Sequence, residues 1–362
     1  MEQKLLGDIA TYINGYAFKP EDRGSTGLPI IRIQDLTGNA YDLGFYDGKY
    51  PEKIEINDGD VLISWSASLG VYIWNRGKGL LNQHIFKVVF DKCEVNKQYF
   101  VFAVKHKLKE MELKTHGATM KHIVKKDFDN TVIPFPTVEK QADIAYILSK
   151  IESIVEFRQQ ELQQLDDLIK ARFVEMFGDM YLNSKGWPEA KLESMADVVS
   201  GITKGRKTKA EDLTEVPYMA VSNVKDGYID WTTVKTIEAT QQEIEQYRLL
   251  ADDVLMTEGG DPDKVGRGAI IKEPLENCIH QNHIFRVRLD ESMILPEFFA
   301  EYLQHQRSKR YFLGCAKQTT GIASINMTQL RALPVLMPPL SKQEEFVLFK
   351  AQVNKSKLKK LR

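Results

Sequence analysis

The apolar positions change period along this chain, and each change marks an element. Short β-branched and aromatic runs at Leu28–Leu36, Asp60–Ser64, Gly70–Trp74 and Ile85–Phe90 are separated by Gly, Asn and Asp, which predicts strands joined by turns. Over residues 97–113 the spacing becomes helical, with a lysine-coated back. A loop at Thr115 to Thr119 follows, and Lys126-Asp127-Phe128 leads to a strand ending at Pro134. From Thr137 the pattern predicts one long helix. Thr137 is its candidate N-cap, although Lys140 stands where a capping box needs Glu or Gln. Ile144, Leu148, Ile151, Val155, Leu162, Leu165, Ile169 and Met176 recur at three-and-four spacing, close to a heptad seam, with no Gly or Pro before Gly178. Some 40 residues at 1.5 Å rise make a rod of roughly 60 Å. Such a rod needs a partner helix.

The same order of patterns occurs twice. Leu28-Pro29-Ile30-Ile31 matches Val216-Pro217-Tyr218-Met219 at offset 188, and Gly59-Asp60-Val61-Leu62 matches Asp252-Asp253-Val254-Leu255 at 193. Gln83-His84-Ile85-Phe86 matches Asn282-His283-Ile284-Phe285 at 199, and Phe135-Pro136 to Lys140-Gln141 matches Met337-Pro338 to Lys342-Gln343 at 202. The growing offset places insertions in the loops of the second copy while its strands keep their order. A helix predicted over 297–312 corresponds to 98–113. The domains implied are a globular unit over 1–136, a long helix over 137–179, a second globular unit over 180–338 and a helix over 339–362. Projected at offset 202, the first helix would end near residue 381, so the second arm is shorter by about 19 residues, by nature or by truncation.

Each unit is large enough to bury its own core, and 43% hydrophobic residues suit a soluble protein. No apolar run approaches the ~20 residues of a membrane span, and Met1-Glu2-Gln3-Lys4 opens no signal-peptide core. Cys93, Cys278 and Cys315 form no CxxC pair, so neither a disulfide framework nor a zinc site is expected; the location expected is cytoplasmic. The net charge of −1 hides segregation. Residues 97–126 hold eight lysines against Glu110 and Glu112, and residues 204–209 hold four bases and no acid. Basic patches are therefore available on a neutral chain. Enzyme signatures fail: Pro338-Pro339 lacks the flanks of an amino-methyltransferase motif, and Gly259-Gly260 and Gly266-Arg267-Gly268 lack a strand–loop–helix setting.

An Asp-Val-Leu strand, a Gln/Asn-His-Ile-Phe strand, a Gly-Ala loop, a proline-ended strand and a Lys-Gln helix start, all in order and all twice, resemble the specificity subunit of type I restriction–modification systems. The resemblance covers almost the whole chain. It implies a mixed α/β fold with two target-recognition domains in tandem, each followed by a long helix, the two helices forming an antiparallel coiled-coil spacer. It implies double-stranded DNA as ligand, each domain taking one half of a split, asymmetric site. It further implies two methyltransferase subunits and then restriction (translocase) subunits as partners, and no catalytic residue here; S-adenosylmethionine, ATP and Mg belong to those partners. The short final helix departs from the pattern. A helical-rod adaptor with two protein-binding ends, or a silent specificity gene, are the alternative readings.

Major-groove reading needs donors and acceptors on rigid edges, with bases holding phosphates. The candidates are Lys19 and Arg23 in the first loop and Lys204, Arg206, Lys207 and Lys209 in its counterpart. Ser64, Trp65 and Ser66 follow one strand, and Thr257 and Glu258 follow its repeat mate; Glu258 suits a cytosine amino group. Thr119 and Lys121, with Thr319, Thr320 and Ser324, are candidate DNA-facing loop residues. Gln83-His84 and Asn282-His283 are read as buried structural pairs, because they enter apolar strands. Arg158 and Arg172 interrupt the helix seam and are assigned, with it, to partner contacts.

Overall fold

The computed structural model describes residues 2–39, 42–113, 122–206, 212–261, 264–319 and 321–361. The chain divides into two compact units, Met1–Phe157 and Arg158–Arg362. The boundary falls inside the long helix, not at its predicted ends.

In the first unit, β1 (Gln3–Leu5) and helix α1 (Leu6–Ile9) precede β2 (Thr11–Asn14), β3 (Leu28–Ile31), α2 (Ile33–Thr37), β4 (Phe45–Tyr46), β5 (Glu55–Ile56), β6 (Val61–Ser64), β7 (Gly70–Ile73), β8 (Gly79–Leu81) and β9 (Ile85–Val89). Then come α3 (Lys97–Leu113), α4 (Lys125–Asp129), β10 (Val132–Pro134) and α5 (Val138–Phe177). Two four-stranded sheets form, in the orders β2-β9-β6-β7 and β4-β3-β8-β5. β6 is buried at all four positions, as a central strand covered on both faces should be. Leu6, Phe86, Phe100, Phe128 and Ile133 build one core, and Ile30, Ile56, Leu62 and Leu80 another. The strand expected over 28–36 stops at Ile31. Asp35 accepts from the Arg32 backbone N–H at 2.8 Å and pairs with its guanidinium at 3.0 Å, which starts a helical turn.

The second unit repeats the plan. It carries β11 (Glu189–Lys191), β12 (Ala196–Ser200), β13 (Thr214–Met219), β14 (Lys235–Ala239), α6 (Gln241–Tyr247), β15 (Val254–Thr257), β16 (Gly259–Gly260), β17 (Gly268–Ile270), β18 (Ile279–His280) and β19 (Ile284–Leu289). After these come α7 (Pro296–Gln304), α8 (Gln306–Cys315), β20 (Lys317–Thr319), β21 (Ile322–Ser324), α9 (Met327–Arg331), β22 (Pro334–Leu336) and α10 (Leu340–Leu361). Its main sheet, β12-β19-β15-β17, has the order of β2-β9-β6-β7, and β14-β13-β18 mirrors β4-β3-β8. The predicted helix 297–312 is two helices, broken at His305, whose backbone is extended (ψ 156°). At the break the half-buried His305 ring stacks on Phe173 at 4.2 Å.

Corresponding glycines mark the closest approach in each unit. A Cβ at Gly15 would lie 2.0 Å from the Asn82 carbonyl oxygen, and one at Gly201 1.9 Å from that of His280. No side chain fits at either place.

The seam of α5 is only partly buried. Ile169 and Met176 lie in the core of the second unit with Phe173, Phe177, Phe346 and Val353, and Leu165 packs against it. There α5 and α10 run in opposite directions: Arg172 meets Glu345 at 2.6 Å, and Asp166 meets Lys357 at 2.5 Å. Leu162, like Ile144 and Leu148 in the first unit, is half-buried, whereas Ile151 and Val155 are exposed beside Tyr146, Ile147, Ile154 and Phe157. The later half of the seam is buried within this chain, and Ile151 and Val155 of its first half are exposed. Arg158 pairs with Glu161 one turn on, and Arg172 with Glu175 and Glu345, so both arginines already have acids of this chain beside them.

Candidate nucleic-acid interface

In each unit, segments that are distant in sequence meet at one end of the main sheet. In the second unit, Glu258 follows β15; its backbone N–H donates to the His283 carbonyl (3.0 Å), and its carbonyl accepts from Ile325 N–H (2.8 Å). Asn282 N–H donates to the carbonyl of Ile202, and Ser200 Oγ donates to that of Asn282 at 2.6 Å, so the segment from Ser200 to Ile202 joins the same rim. In the first unit Trp65 N–H donates to His84 O (3.2 Å) and Trp65 O accepts from Ile123 N–H (3.0 Å). The frame is the same twice. The side chains carried on these two recurring bonds differ.

Those side chains sort cleanly. Lys19, Arg23 and Lys204 are exposed and form no ion pair among the described residues. Arg206 is different: it grips Glu243 through two bonds of 2.6 and 2.5 Å and also donates to the Glu238 carbonyl. It braces β14 and α6 and is not a free phosphate ligand, which corrects its assignment. The Arg206 guanidinium holds the Glu243 carboxyl down to about 2. A depressed carboxyl stabilises the fold above its unfolded value near 4.5 and loses that contribution as pH falls towards 2. Arg206→Ala should therefore flatten the acid-unfolding profile of the second unit between pH 4.5 and 2, followed by circular dichroism; a profile unchanged in that window would refute the brace.

Ser64, Ser66 and Thr257 are corrected too. All three are buried: Ser64 Oγ donates to the Ser68 carbonyl at 2.6 Å, and Ser66 bridges His122 through its backbone. They end strands and close loops, and their hydroxyls do not reach the rim. Trp65 is half-buried, its ring 5.6 Å from Phe86 in a stacked arrangement and its Nε1–H donating to Asn14 Oδ1 (3.2 Å). Ser324 is half-buried in β21, opposite Gly259 of β16. Lys207, Lys209, Thr119, Lys121 and Thr320 lie outside the described residues, as does the side chain of Thr319.

Sequence reasoning missed His283. It was expected to be buried, yet its side chain is 56% exposed, and its Nδ1–H donates to Glu258 Oε2 at 2.5 Å. Apolar Ile284 and Phe285 begin the strand one residue later, which leaves His283 in the turn. His280, three residues earlier, is the buried one; burial pushes its imidazole down to about 4. The Asn-His dipeptide recurring as Gln-His at offset 199 was the available signal.

A family profile described as the type I restriction modification DNA specificity domain matches residues 1–167 and again 184–360, almost all of the chain. The chain belongs to this family. Its two specificity domains are the two copies of the sheet frame. Similar proteins include the EcoBI specificity subunit of Escherichia coli, 22% identical over 94% of this chain and 77% of that one. The EcoKI specificity subunit of Escherichia coli strain K12 is 24% identical over 94% and 79%. Among solved structures, the S subunit of the type I restriction–modification system from M. genitalium matches with a TM-score of 0.55 at 14% identity, covering 99% of this chain and 90% of that one. A structure of a type I restriction–modification system, concerned with complex assembly and conformational transition, matches with a TM-score of 0.54 at 15% identity, covering 99% of this chain and 90% of that one. At such identities these two structures show a shared fold. Among the described residues, no helix is long and apolar enough to cross a membrane.

Proposed function

We propose that this chain is the DNA sequence-recognition subunit of a type I restriction–modification complex, each unit reading one half of a bipartite site. The observation carrying this is the pair of equivalent rims with unlike side chains: Asn14 and Trp65 in one stand where Ser200 and Glu258 stand in the other. A fixed frame holding different donors and acceptors is what two half-sites of different sequence require. Exposed Lys19, Arg23 and Lys204 supply phosphate contacts that position without reading. The chain itself is non-catalytic in this reading, and S-adenosylmethionine, ATP and Mg act on the methyltransferase and restriction subunits.

The helices serve as ruler and dock. α5 rises about 60 Å over its 40 residues, so the gap between half-sites becomes a geometric quantity. Supporting a docking role, Tyr146, Ile147, Ile154 and Phe157 present apolar side chains on its first half, as a partner subunit would need.

The test is methylome mapping in a methylation-free host that carries the methyltransferase partner, with and without this chain. One bipartite motif should appear only with the chain. Exchanging residues 1–136 for the corresponding unit of another specificity subunit should change one half-site and leave the other. A change in both halves would refute independent reading.

A further inference from the structure

We propose that Glu258 and His283 form the base-reading pair of the second unit, and that Glu258 accepts a hydrogen bond from an exocyclic amino group in the major groove. This rests on the reading that the chain binds DNA, and it names what one position of the second half-site must offer.

Three observations lead there. The first is rigidity. Glu258 is pinned through its backbone N–H and carbonyl to two different segments, at His283 and Ile325. Its Oε2 accepts from His283 Nδ1–H at 2.5 Å, and Asn282 Nδ2 lies 3.4 Å from the other ring nitrogen, fixing the imidazole from both sides. A carboxylate oriented in this way loses little freedom on binding. The second is availability. His283 is 56% exposed and Glu258 31%, and no bond to Oε1 is found among the described residues. One oxygen is held and the other is left to accept.

The third is chemical selectivity. A carboxylate beside DNA is repelled by phosphate, so it is tolerable only where it meets a donor. In the major groove the base donors are the amino groups of cytosine N4 and adenine N6, and acidic side chains accept from the former. Lys204, two residues after the Ile202 carbonyl that accepts from Asn282, is an exposed positive charge of the same unit. At the equivalent place in the first unit, Trp65 shares the backbone pinning, but an indole has no hydrogen-bond acceptor; its one donor, Nε1–H, goes to Asn14 and its ring lies on Phe86. At this rim position the acceptor is thus present in the second unit and not in the first.

The experiment uses the full chain with its methyltransferase partner in a methylation-free host, and maps methylated motifs for wild type, Glu258→Gln, Glu258→Ala and His283→Ala. With Glu258→Ala, one position of one half-site should become degenerate, losing roughly 5- to 150-fold discrimination, the range of one good base contact. Glu258→Gln should move that same position towards adenine, because a carboxamide pairs bidentately with it. The base lost identifies the amino group as that of cytosine or of adenine. His283→Ala should relax the same position less. Strict, unchanged motifs in both Glu258 variants would overturn the proposal. So would a uniform loss of binding across all sequences in a variant that melts like wild type, which would make Glu258 a support and not a reader. If Glu258→Ala does not fold, the near-isosteric Gln variant decides. If wild type gives no chain-dependent motif, the DNA reading itself falls; a wild-type motif left unaltered by the variants sinks only the assignment to Glu258.

Discussion

Replacing Gln343 with Ala should destabilise the second unit by about 2–4 kcal/mol, and Gln141→Ala should do the same to the first. Both glutamines are fully buried on the first turn of a helix, and each bonds at both ends of its amide. Gln343 Oε1 accepts from Leu295 N–H at 2.8 Å, just before α7, while Nε2 donates to the Pro338 carbonyl at 2.8 Å. Gln141 repeats this with Asn96 N–H at 3.0 Å, just before α3, and the Pro136 carbonyl at 2.8 Å. Alanine orphans a helix-start donor and a carbonyl together, and each buried unsatisfied group costs about 1–3 kcal/mol. The consequence reaches function, because this side chain ties the end of the proline-ended strand, the helix behind the sheet and the start of the following helix into one joint. Urea unfolding followed by tryptophan fluorescence measures it. Gln→Glu should fall between wild type and Ala, since a carboxylate can still accept from the helix N–H but cannot donate to proline. A loss below 1 kcal/mol in both Ala variants would mean that the joint is held elsewhere.

That joint was legible because the chain repeats it. The Lys-Gln pair after a proline-ended strand stands at one offset in both copies, and duplication separates a required residue from an incidental one. Sheet order was implied for the same reason: the strands that matched in sequence occupy matching positions, β6 with β15 and β9 with β19. The rim was less legible, because facing direction depends on where a strand ends to within one residue. Ser64 and Thr257 each lie at the last position of a strand and turn inward, whereas Trp65 and Glu258, one residue later, reach the rim. His283 escapes burial by the same single-residue margin. Arg206 was misassigned for a different reason. Its partner Glu243 lies 37 residues away, and no local pattern announces a tertiary ion pair at that separation. The two-helix reading likewise held only where tertiary packing supplies a partner, over Leu165 to Phe177 against α10.

Phe173→Ala should be the most damaging single change on the long helix, lowering stability by about 3–5 kcal/mol. The ring is fully buried where α5, α7 and α10 converge: 4.8 Å from Phe177, 5.5 Å from Phe298, 5.1 Å from Phe346 and 4.2 Å from His305. It fills the junction at which the helix enters the second unit, so truncation leaves a cavity that three helices must close together. For a unit of about 200 residues such a loss lowers the melting temperature by roughly 10 °C. Phe173→Leu keeps most of the volume and should cost about half as much. The split between the units makes a second outcome separable. Gln141→Ala weakens the first unit, and Phe173→Ala the second, at sites without a shared partner, so their effects should add within about 0.5 kcal/mol. Differential scanning calorimetry of the two single variants and the double variant tests this. Strong coupling would show that the long helix transmits strain from one reader to the other, and the ruler would then be part of recognition instead of a passive spacer.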